Sequence, residues 1–440
     1  MGRLSAREVI AVRILGARVL VWFSQERWLV GASLVRILLG MWALYYYALH
    51  VPVRHLLWGP AGIWPHDRFV GLQPPFSVWQ LSPSPLFFEA VYLAGMVVAL
   101  SFTLGYRTRL STALHWLLLW SLQMRNPFIT DGGDNIMRLA LLFLVLVDAG
   151  AHFSLDARRP DRPLPPWWRQ VRAIAHNAGV LLIIAQLSLL YMSTGLYKAM
   201  GEMWQNGTAL YYVLRVDEFS WPRAAALVYR NPYLVVGATY GTVLFEIMFL
   251  PLLLNRWTRY AMIAAGVAFH SAIAALMGLV TFAWSMLSLY PLLLTDGEYR
   301  QLAGWLRRRW HLVVLYDGWC LLCTRSVRRW ARCDILSLVQ FVSFRDPGVL
   351  ETHGLDADRA TRRIQAVTAS GAVKEGLDAI VAIGGRLVVL WPVVPLLAAV
   401  RVVAGQRLYD MVARRRRVLI PGACEGHCAV AQRRLPELPG

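Results

Sequence analysis

Long apolar stretches recur through the first 300 residues, and they constrain the fold of this chain more than any other feature. Two of them, LLIIAQLSLLYMSTG and LVVGATYGTVLFEIMFLPLLL, approach the ~20 residues that a helix needs to cross the hydrocarbon core of a bilayer. Charged residues make up only 16% of the chain, whereas soluble domains carry about 25%. The sequence therefore predicts an integral membrane protein, with the lipid bilayer as its first partner.

The apolar segments predict a multi-pass α-helical membrane bundle of about eight spans. The third, fourth and last segments are short, so we expect them to be tilted, re-entrant or buried in protein. The N-terminal stretch REVIAVRILGARVLVWF has arginines among its apolar positions and predicts an amphipathic helix at the membrane interface. The predicted spans are 29–51, 86–104, 110–124, 136–153, 174–197, 233–254, 258–279 and 280–295.

The arginines give this bundle an orientation. With the N-terminus inside, most arginines that flank the spans fall on the cytoplasmic side, including the run at 307–309. The positive-inside rule then predicts that both termini lie in the cytoplasm. The formal net charge of +19 has the same explanation, since no motif that reads or stacks on bases accompanies it. We expect no nucleic-acid partner.

The pattern changes after Arg309. HLVVLYD, LSLVQFVSF and RIQAVTA predict strands, and an amphipathic helix separates the first two. This strand–helix–strand order predicts an α/β domain. LVVLWPVVPLLAAVRVV is interrupted by Pro392 and Pro395, so we expect a buried or interface-lying helix instead of a ninth span. Three parts follow: a membrane domain over 1–300, a basic linker over 301–311 and an α/β domain over 312–440.

The cysteines all fall in the last part, and two of them form a CxxC motif. Cys320 is predicted at the start of a helix, where unpaired backbone N–H groups and the helix dipole stabilise a thiolate. Cys323 lies one turn further and can resolve a mixed disulfide. The alternative is a zinc half-site completed by Cys424, His427 and Cys428, but zinc modules usually place their pairs ~12–20 residues apart. The motif favours thiol–disulfide exchange, without a metal.

The run YDGWCLLC resembles the signature of the DCC family, which is similar to thioredoxin-like thiol–disulfide oxidoreductases. The resemblance covers about 312–428 and includes YDMVARRRR. It implies a thioredoxin-like fold, catalytic roles for Asp317, Cys320 and Cys323, and thiol or disulfide proteins as partners. Asp317 is either a proton relay or a residue that shapes the turn after the strand. Cys333 is expected to be a buried helix residue without a role.

Lys198 is one of only two lysines among 45 basic residues, and it ends a predicted span in YMSTGLYKAMGEMW. A desolvated lysine can act as a base, whereas arginine cannot be deprotonated in a protein. The alternative is an ammonium group that snorkels to the interface. Ionisable groups inside membranes are candidates for function, so both interpretations stay open.

GLYKAMGEMWQNGTAL, RNPFITDGGDNIMRL and FAWSMLSLYPLLL resemble segments of the bacterial HTTM family, which is similar to the membrane domain of vitamin K-dependent γ-carboxylase. The likeness spans about 20–300 and implies the bacterial inner membrane. It implies that Lys198 is the base that deprotonates a reduced membrane quinone. Asp134 is then a candidate to bind that quinone, the one cofactor that the resemblance suggests. His270, in AFHSAIAALMG, is a second candidate, and the alternative for it is a contact between helices.

Other ionisable groups within the predicted spans each need a partner or a wet cavity. We predict that Arg36 pairs with Glu89 or Glu246. Three functions remain: a membrane-bound thiol–disulfide oxidoreductase, which the motif favours most; a carboxylase-like, quinone-dependent enzyme with Lys198 as base; and a scaffold or transporter that anchors the redox domain.

Overall fold

The computed structural model describes residues 16–73, 75–159 and 164–419. The chain forms two compact units, and the boundary between them falls after Asp296. The first unit is helical, and the second contains a four-stranded sheet. Of the predicted N-terminal interfacial helix, residues 16–23 are helical, and the rest of that stretch lies outside the described residues.

Nine principal helices run through residues 29–310. They are α1 (Leu29–His50), α2 (Pro85–Leu104), α3 (Thr108–Arg125), α4 (Gly132–Leu144), α5 (Pro166–Ala199), α6 (Pro232–Leu253), α7 (Arg256–Met277), α8 (Val280–Leu287) and α9 (Asp296–Trp310). Shorter helices connect them at Arg54–Trp58, His66–Gly71, Glu202–Gln205, Ala209–Val213 and Pro222–Tyr229. Within the described residues, five segments are long and apolar enough to cross a membrane: Leu29–Trp58, Pro85–Leu104, Pro166–Ala199, Pro232–Leu253 and Arg256–Met277.

Local signals in the sequence set the ends of these helices. The Ser84 hydroxyl accepts from the backbone N–H of Phe87, and Pro85 occupies the first turn of α2, where its missing N–H costs nothing. Asn231 caps α6 in the same way. Gly105 ends α2 with a φ of 66° and Gly278 ends α7 with a φ of 71°, a left-handed conformation that glycine adopts most readily.

Three of the eight predicted spans are not among the five described segments that are long and apolar enough to cross a membrane. Helix α3 covers its predicted span, but it carries His115 and Gln123 among its buried residues. The span predicted over 136–153 ends as a helix at Leu144, and 13 residues reach only about 20 Å. The span predicted over 280–295 is an eight-residue helix followed by a 3-10 turn. Apolar composition does not distinguish a helix buried among other helices from one that crosses lipid, so the count of eight stays a prediction.

The contacts of Arg36 contradict the predicted ion pair with Glu89 or Glu246. Its side chain is fully buried and bonds to backbone carbonyls, not to Glu89 or Glu246. Nη1 donates to the Phe102 oxygen at 2.8 Å and also to Thr103, in the last turn of α2, where helix carbonyls lack partners. The other two nitrogens donate to the oxygens of Ala149 at 2.9 Å and Phe153 at 2.7 Å. The prediction was wrong because backbone acceptors cannot be read from side-chain composition.

The second unit is built on a mixed sheet. Its strands are β1 (Leu312–Tyr316), β2 (Val339–Ser343), β3 (Gln365–Thr368) and β4 (Val373–Glu375), and its longer helices are α10 (Leu321–Cys333), α11 (Leu377–Gly384) and α12 (Val394–Leu419). Shorter helices cover Val349–Thr352 and Ala357–Arg362. The strand order is β2-β1-β3-β4. Strand β1 is parallel to β2 and antiparallel to β3, and β3 is antiparallel to β4.

Alternating side chains of β1 fill the two faces of the sheet, as a period of two requires. Leu312 and Val314 are fully buried in a cluster with Ile383 of α11. Leu315 belongs to a second cluster with Phe344. Strands β1, β2 and β3 fall within the three predicted strands, because β-branched runs bounded by turns are a local signal.

The flanking segments also differ in detail from the predicted linker and apolar helix. Most of 301–311, predicted as a basic linker, is the C-terminal half of α9. The apolar segment after Arg386 begins with a 3-10 turn, Val388–Leu390, and enters α12 at Val394. Gly405 breaks α12 with a φ of 58°.

Candidate functional site

The CxxC motif lies at the junction between β1 and α10. Strand β1 ends at Tyr316, and Cys320 is the N-cap residue of the 13-residue helix that follows. The Cys320 carbonyl accepts from the N–H of Thr324 at 3.0 Å, the first bond of that helix. Both Cys320 and Cys323 are half-buried. Cys320 thus occupies the helix position near which the N–H groups of the first turn and the helix dipole favour negative charge.

Asp317 forms the turn that leads into Cys320. One carboxylate oxygen accepts from the Trp319 N–H at 3.1 Å, and the Asp317 carbonyl accepts from the Cys320 N–H at 3.2 Å. The same carboxylate accepts two bonds from Arg345, from Nε at 3.1 Å and from Nη2 at 3.2 Å. A carboxylate held in this way is suited to fixing the turn, the second of the two roles considered for Asp317.

Arg345 is a residue that the sequence analysis missed. It lies two residues after the end of β2, and its guanidinium lies 4.4 Å from the centre of the Trp319 ring and 4.7 Å from that of Phe344. Bidentate pairing with a carboxylate and stacking on aromatic rings are both specific to arginine. The available signal was an arginine between an aromatic residue and an aspartate at the end of a predicted strand.

The pairing of the strands explains why these segments meet. Leu315, near the end of β1, is opposite Gln365, which begins the antiparallel β3, and also opposite Val342, near the end of the parallel β2. The CxxC turn therefore lies at the same end of the sheet as the residues after β2 and the residues before β3. Arg363, two residues before β3, makes a double ion pair with Asp410 of α12, at 2.8 and 2.6 Å.

Two further residues, Tyr316 and Cys333, belong to the elements on either side of the motif. Burial raises the pKa of Tyr316, the negative charges of Asp346 and Cys323 add to this effect, and the charge of Arg328 opposes it. Cys333 ends α10 and packs half-buried against the core of the sheet. The second half of the zinc alternative, Cys424 to Cys428, lies outside the described residues.

Lys198 lies in the last turn of α5 and makes an ion pair with Glu246 of α6. Its Nζ is 2.7 Å from each carboxylate oxygen. The Glu246 side chain is 5% exposed and that of Lys198 is 25% exposed. The Trp204 ring lies 5.4 Å from the ammonium nitrogen. A lysine held against a buried carboxylate differs from one that merely snorkels, because its proton has a nearby acceptor.

His270 of α7 belongs to a buried hydrogen-bond network that reaches α5 through Tyr191. Its Nε2 is 2.5 Å from the Tyr191 hydroxyl, which is 2.8 Å from the Tyr290 hydroxyl. The Nδ1 atom of His270 is buried and has no acceptor or donor among the described residues. Tyr191 and Lys198 are seven residues apart on α5, two turns, and so lie on one helix face. Lys198 and the tyrosine that bonds to His270 therefore share one face of α5.

Asp134 has a different environment. It occupies the first turn of α4, where it forms a reciprocal capping box with Asp131: each carboxylate accepts from the other residue's N–H, at 2.9 and 3.1 Å. Its second partner is the Gln123 side-chain amide, at 2.9 Å. These bonds give Asp134 a structural role, and its predicted role in quinone binding rests on no contact to Lys198 or His270 among the described residues.

Comparison with known proteins agrees with this division of the chain. Residues 33–296 match the HTTM domain, and residues 314–420 match the DCC1-like thiol-disulfide oxidoreductase. This chain belongs to the HTTM family and carries a DCC1-like domain after its membrane domain.

Two curated proteins of Bacillus subtilis (strain 168) are similar to part of the chain. The uncharacterized protein YitO is 27% identical over 203 residues, which is 44% of this chain and 62% of YitO. The sporulation-delaying protein SdpB is 24% identical over 211 residues, 46% of this chain and 62% of SdpB. The chain thus spans less than two thirds of either relative. No solved structure matches it.

Proposed function

We propose that this protein is a membrane-bound thiol–disulfide oxidoreductase in which Cys320 attacks and Cys323 resolves. The observation that carries the proposal is the position of Cys320 at the N-cap of α10, at the end of the turn that follows β1 and that Asp317 and Arg345 hold. The Cys320 thiolate attacks a substrate disulfide, forms a mixed disulfide and releases one substrate thiolate. Cys323, deprotonated, then attacks the Cys320 sulfur, forms the Cys320–Cys323 disulfide and releases the second thiolate. The substrate is reduced by two electrons and the motif is oxidised by two.

The proposal includes a fold and a location. The sheet order β2-β1-β3-β4 and the strand–CxxC–helix junction support a thioredoxin-like domain over 312–440, joined through 301–311 to the membrane domain over 1–300. The arginine distribution supports a cytoplasmic domain on an inner-membrane protein of eight spans. A reporter fused after Arg417 should be active in its cytoplasmic form, and activity of a periplasmic reporter would contradict this topology.

The exchange reaction is tested by trapping its intermediate. Full-length protein in detergent, with Cys424 and Cys428 replaced by serine, is reduced and mixed with a disulfide-bonded peptide, and its mass is measured. Cys323→Ser should accumulate one mixed disulfide and Cys320→Ser none, while the control Cys333→Ser should turn over like the parent. Equal trapping by both single variants would refute the assigned order. One zinc ion per unsubstituted protein would favour the zinc alternative.

A second candidate function is supported by the ion pair of Lys198. Transfer of a proton from its ammonium to the Glu246 carboxylate leaves a neutral amine, the form that a base requires. That amine then takes the hydroxyl proton of a reduced quinone, as in a carboxylase-like enzyme. The buried Nδ1 of His270, which has no partner among the described residues, fits such a ligand, since it offers a hydrogen bond among aromatic rings.

This second function is tested with quinone consumption by the purified protein. Lys198→Arg can keep the ion pair but cannot be deprotonated, so it should abolish consumption while the protein stays folded. Normal turnover by Lys198→Arg would exclude the base. If neither consumption nor thiol exchange depends on Lys198 or Cys320, the remaining function is a scaffold or transporter.

A further inference from the structure

Two arginines of the membrane domain are almost fully buried, but their surroundings differ. Arg36 and Arg125 are 0% and 1% exposed. Each nitrogen of the Arg36 guanidinium donates to at least one backbone carbonyl, which accounts for its burial. Arg125, the last residue of α3, donates from Nη2 to the oxygens of Gly59 at 2.9 Å and Trp64 at 2.6 Å. Its Nη1 is equally buried and has no acceptor in the described parts of the chain.

Arg125 also has no counter-ion among the residues that the structure describes. No ion pair between them includes it, and its guanidinium lies over the Phe69 ring at 4.7 Å. A buried charge is expensive unless it is both paired and hydrogen-bonded. Two ionisable residues lie beside the contacts of Arg125. Burial, and then the field of Arg125, lower the pKa of His66, so this imidazole adds no positive charge at neutral pH, and the carboxylate of Asp67 is exposed to solvent. The buried surplus is therefore a single positive charge.

Two tryptophans on the segment that Arg125 contacts carry unsatisfied donors as well. The indole Nε1 atoms of Trp58 and Trp64 are buried without an acceptor among the described residues. Both tryptophans are tied to Arg125, because its two backbone partners are Trp64 and the residue after Trp58. Guanidinium and indole groups donate and never accept. Such a donor set fits a ligand whose contacting atoms are all acceptors.

We propose that Arg125, with Trp58 and Trp64, forms a binding site for a singly charged oxyanion, either a carboxylate or a phosphodiester. One surplus charge matches a monoanion, and an oxyanion supplies the acceptors that Nη1 and the two indoles lack. The phosphodiester of a lipid headgroup and the carboxylate of a small amphiphile share this chemistry. The site is independent of the CxxC motif and of Lys198.

The test uses titration calorimetry on the full-length protein in a neutral detergent. The probes are dihexanoyl phosphatidylglycerol for the lipid source, hexanoate for the small carboxylate and dihexanoylglycerol as the uncharged control. The wild-type protein should bind at least one anion and not the control. Binding of the phospholipid alone assigns the site to a lipid headgroup, binding of hexanoate alone assigns it to a small carboxylate, and binding of both assigns it to singly charged oxyanions in general.

Three variants decide whether this binding occurs at Arg125. Arg125→Gln should weaken it at least tenfold, and Trp64→Phe, which keeps the ring and removes the N–H, should weaken it several-fold. Arg54→Gln, which changes a partly exposed arginine paired with Glu89, should leave it unchanged. If Arg125→Gln fails to fold, Trp64→Phe alone is decisive. Absence of anion binding by the wild type, or unchanged affinity in Trp64→Phe, overturns the proposal.

Discussion

The two candidate sites are assembled in opposite ways. The CxxC site is almost continuous in sequence, from Asp317 to Cys323, and only Arg345 comes from elsewhere. The site in the membrane domain joins Lys198 to a carboxylate 48 residues away, and its tyrosines and histidine come from three segments. The comparison teaches that a junction of strand and helix can present chemistry locally, whereas a polar site among membrane helices depends on pairing between helices.

The two regions also differ in how strongly their charges are held. Lys198 and Glu246 pair where the carboxylate is almost fully buried, and Arg36 has no exposure at all. The ion pairs around the CxxC site are more exposed, with side chains 30% and 16% accessible for Arg345 and Asp317. Water screens and replaces exposed pairs, so breaking them costs less. Substitutions in the membrane domain should therefore have larger effects on stability.

The largest effect is expected for Arg36→Ala. This change removes the donor of four backbone carbonyls in the protein interior, and each lost bond to a charged group costs up to a few kcal/mol. We expect the free energy of unfolding to fall by about 4 kcal/mol. Unfolding of the purified protein in mixed micelles titrated with SDS measures it, with the exposed Arg68→Ala as the control. A loss under about 1 kcal/mol would show that solvent or lipid satisfies these carbonyls.

A smaller loss in the free energy of unfolding is expected for Glu246→Gln. It leaves the Lys198 ammonium without its carboxylate, but that side chain is 25% exposed and can regain water. We expect a loss of about 2 kcal/mol in the same unfolding assay. Lys198→Arg, which can keep the pair, should lose less than half as much, and the exposed Glu202→Gln should lose nothing measurable. Equal losses for Glu246→Gln and Glu202→Gln would mean that the pair contributes no stability.

The sequence predicted those parts of the protein that depend on neighbours along the chain. The five long apolar segments, the strands β1 to β3 and the place of Cys320 at a helix start follow from composition, period and turn residues over short windows. Even Pro392 correctly marked an interruption, since the helix α12 begins only at Val394.

The rest depends on contacts between distant segments. No pattern in the sequence pairs Lys198 with Glu246, and the partners of Arg36 are backbone atoms that every residue has. Arg345 was missed because the groups that it contacts, the Trp319 ring and the Asp317 carboxylate, lie in another loop. The span predicted over 136–153 was too long because an apolar run has the same composition whether it faces lipid or protein.

The third prediction, with a smaller effect than Arg36→Ala and Glu246→Gln, concerns the rate of thiol–disulfide exchange more than stability. Arg345→Gln removes the bidentate partner of Asp317 and the charge that lies over Trp319, so the turn before Cys320 loses its main restraint. We expect thiol–disulfide exchange to slow by about tenfold, or about 1.4 kcal/mol in the activation free energy. Stopped-flow reduction of a chromogenic disulfide measures it. Arg345→Lys should recover little of the lost exchange rate, since lysine lacks the planar guanidinium that binds a carboxylate through two hydrogen bonds. A full rate in Arg345→Gln would exclude the positioning role.

The smallest effect is expected for Asp410→Asn, and it sharpens the contrast with the membrane domain. The Arg363–Asp410 pair has good bidentate geometry, but both side chains are about one third exposed. An exposed pair of this kind contributes roughly 0.5 kcal/mol, even though it joins α12 to the segment before β3. We therefore expect a small loss of thermal stability in the C-terminal unit, which should disappear at high salt because surface charges are screened. Arg363→Gln should give the same loss, and the double variant no more than either single one. A loss above about 2 kcal/mol, insensitive to salt, would mean that this pair is held as firmly as the buried charges of the membrane helices.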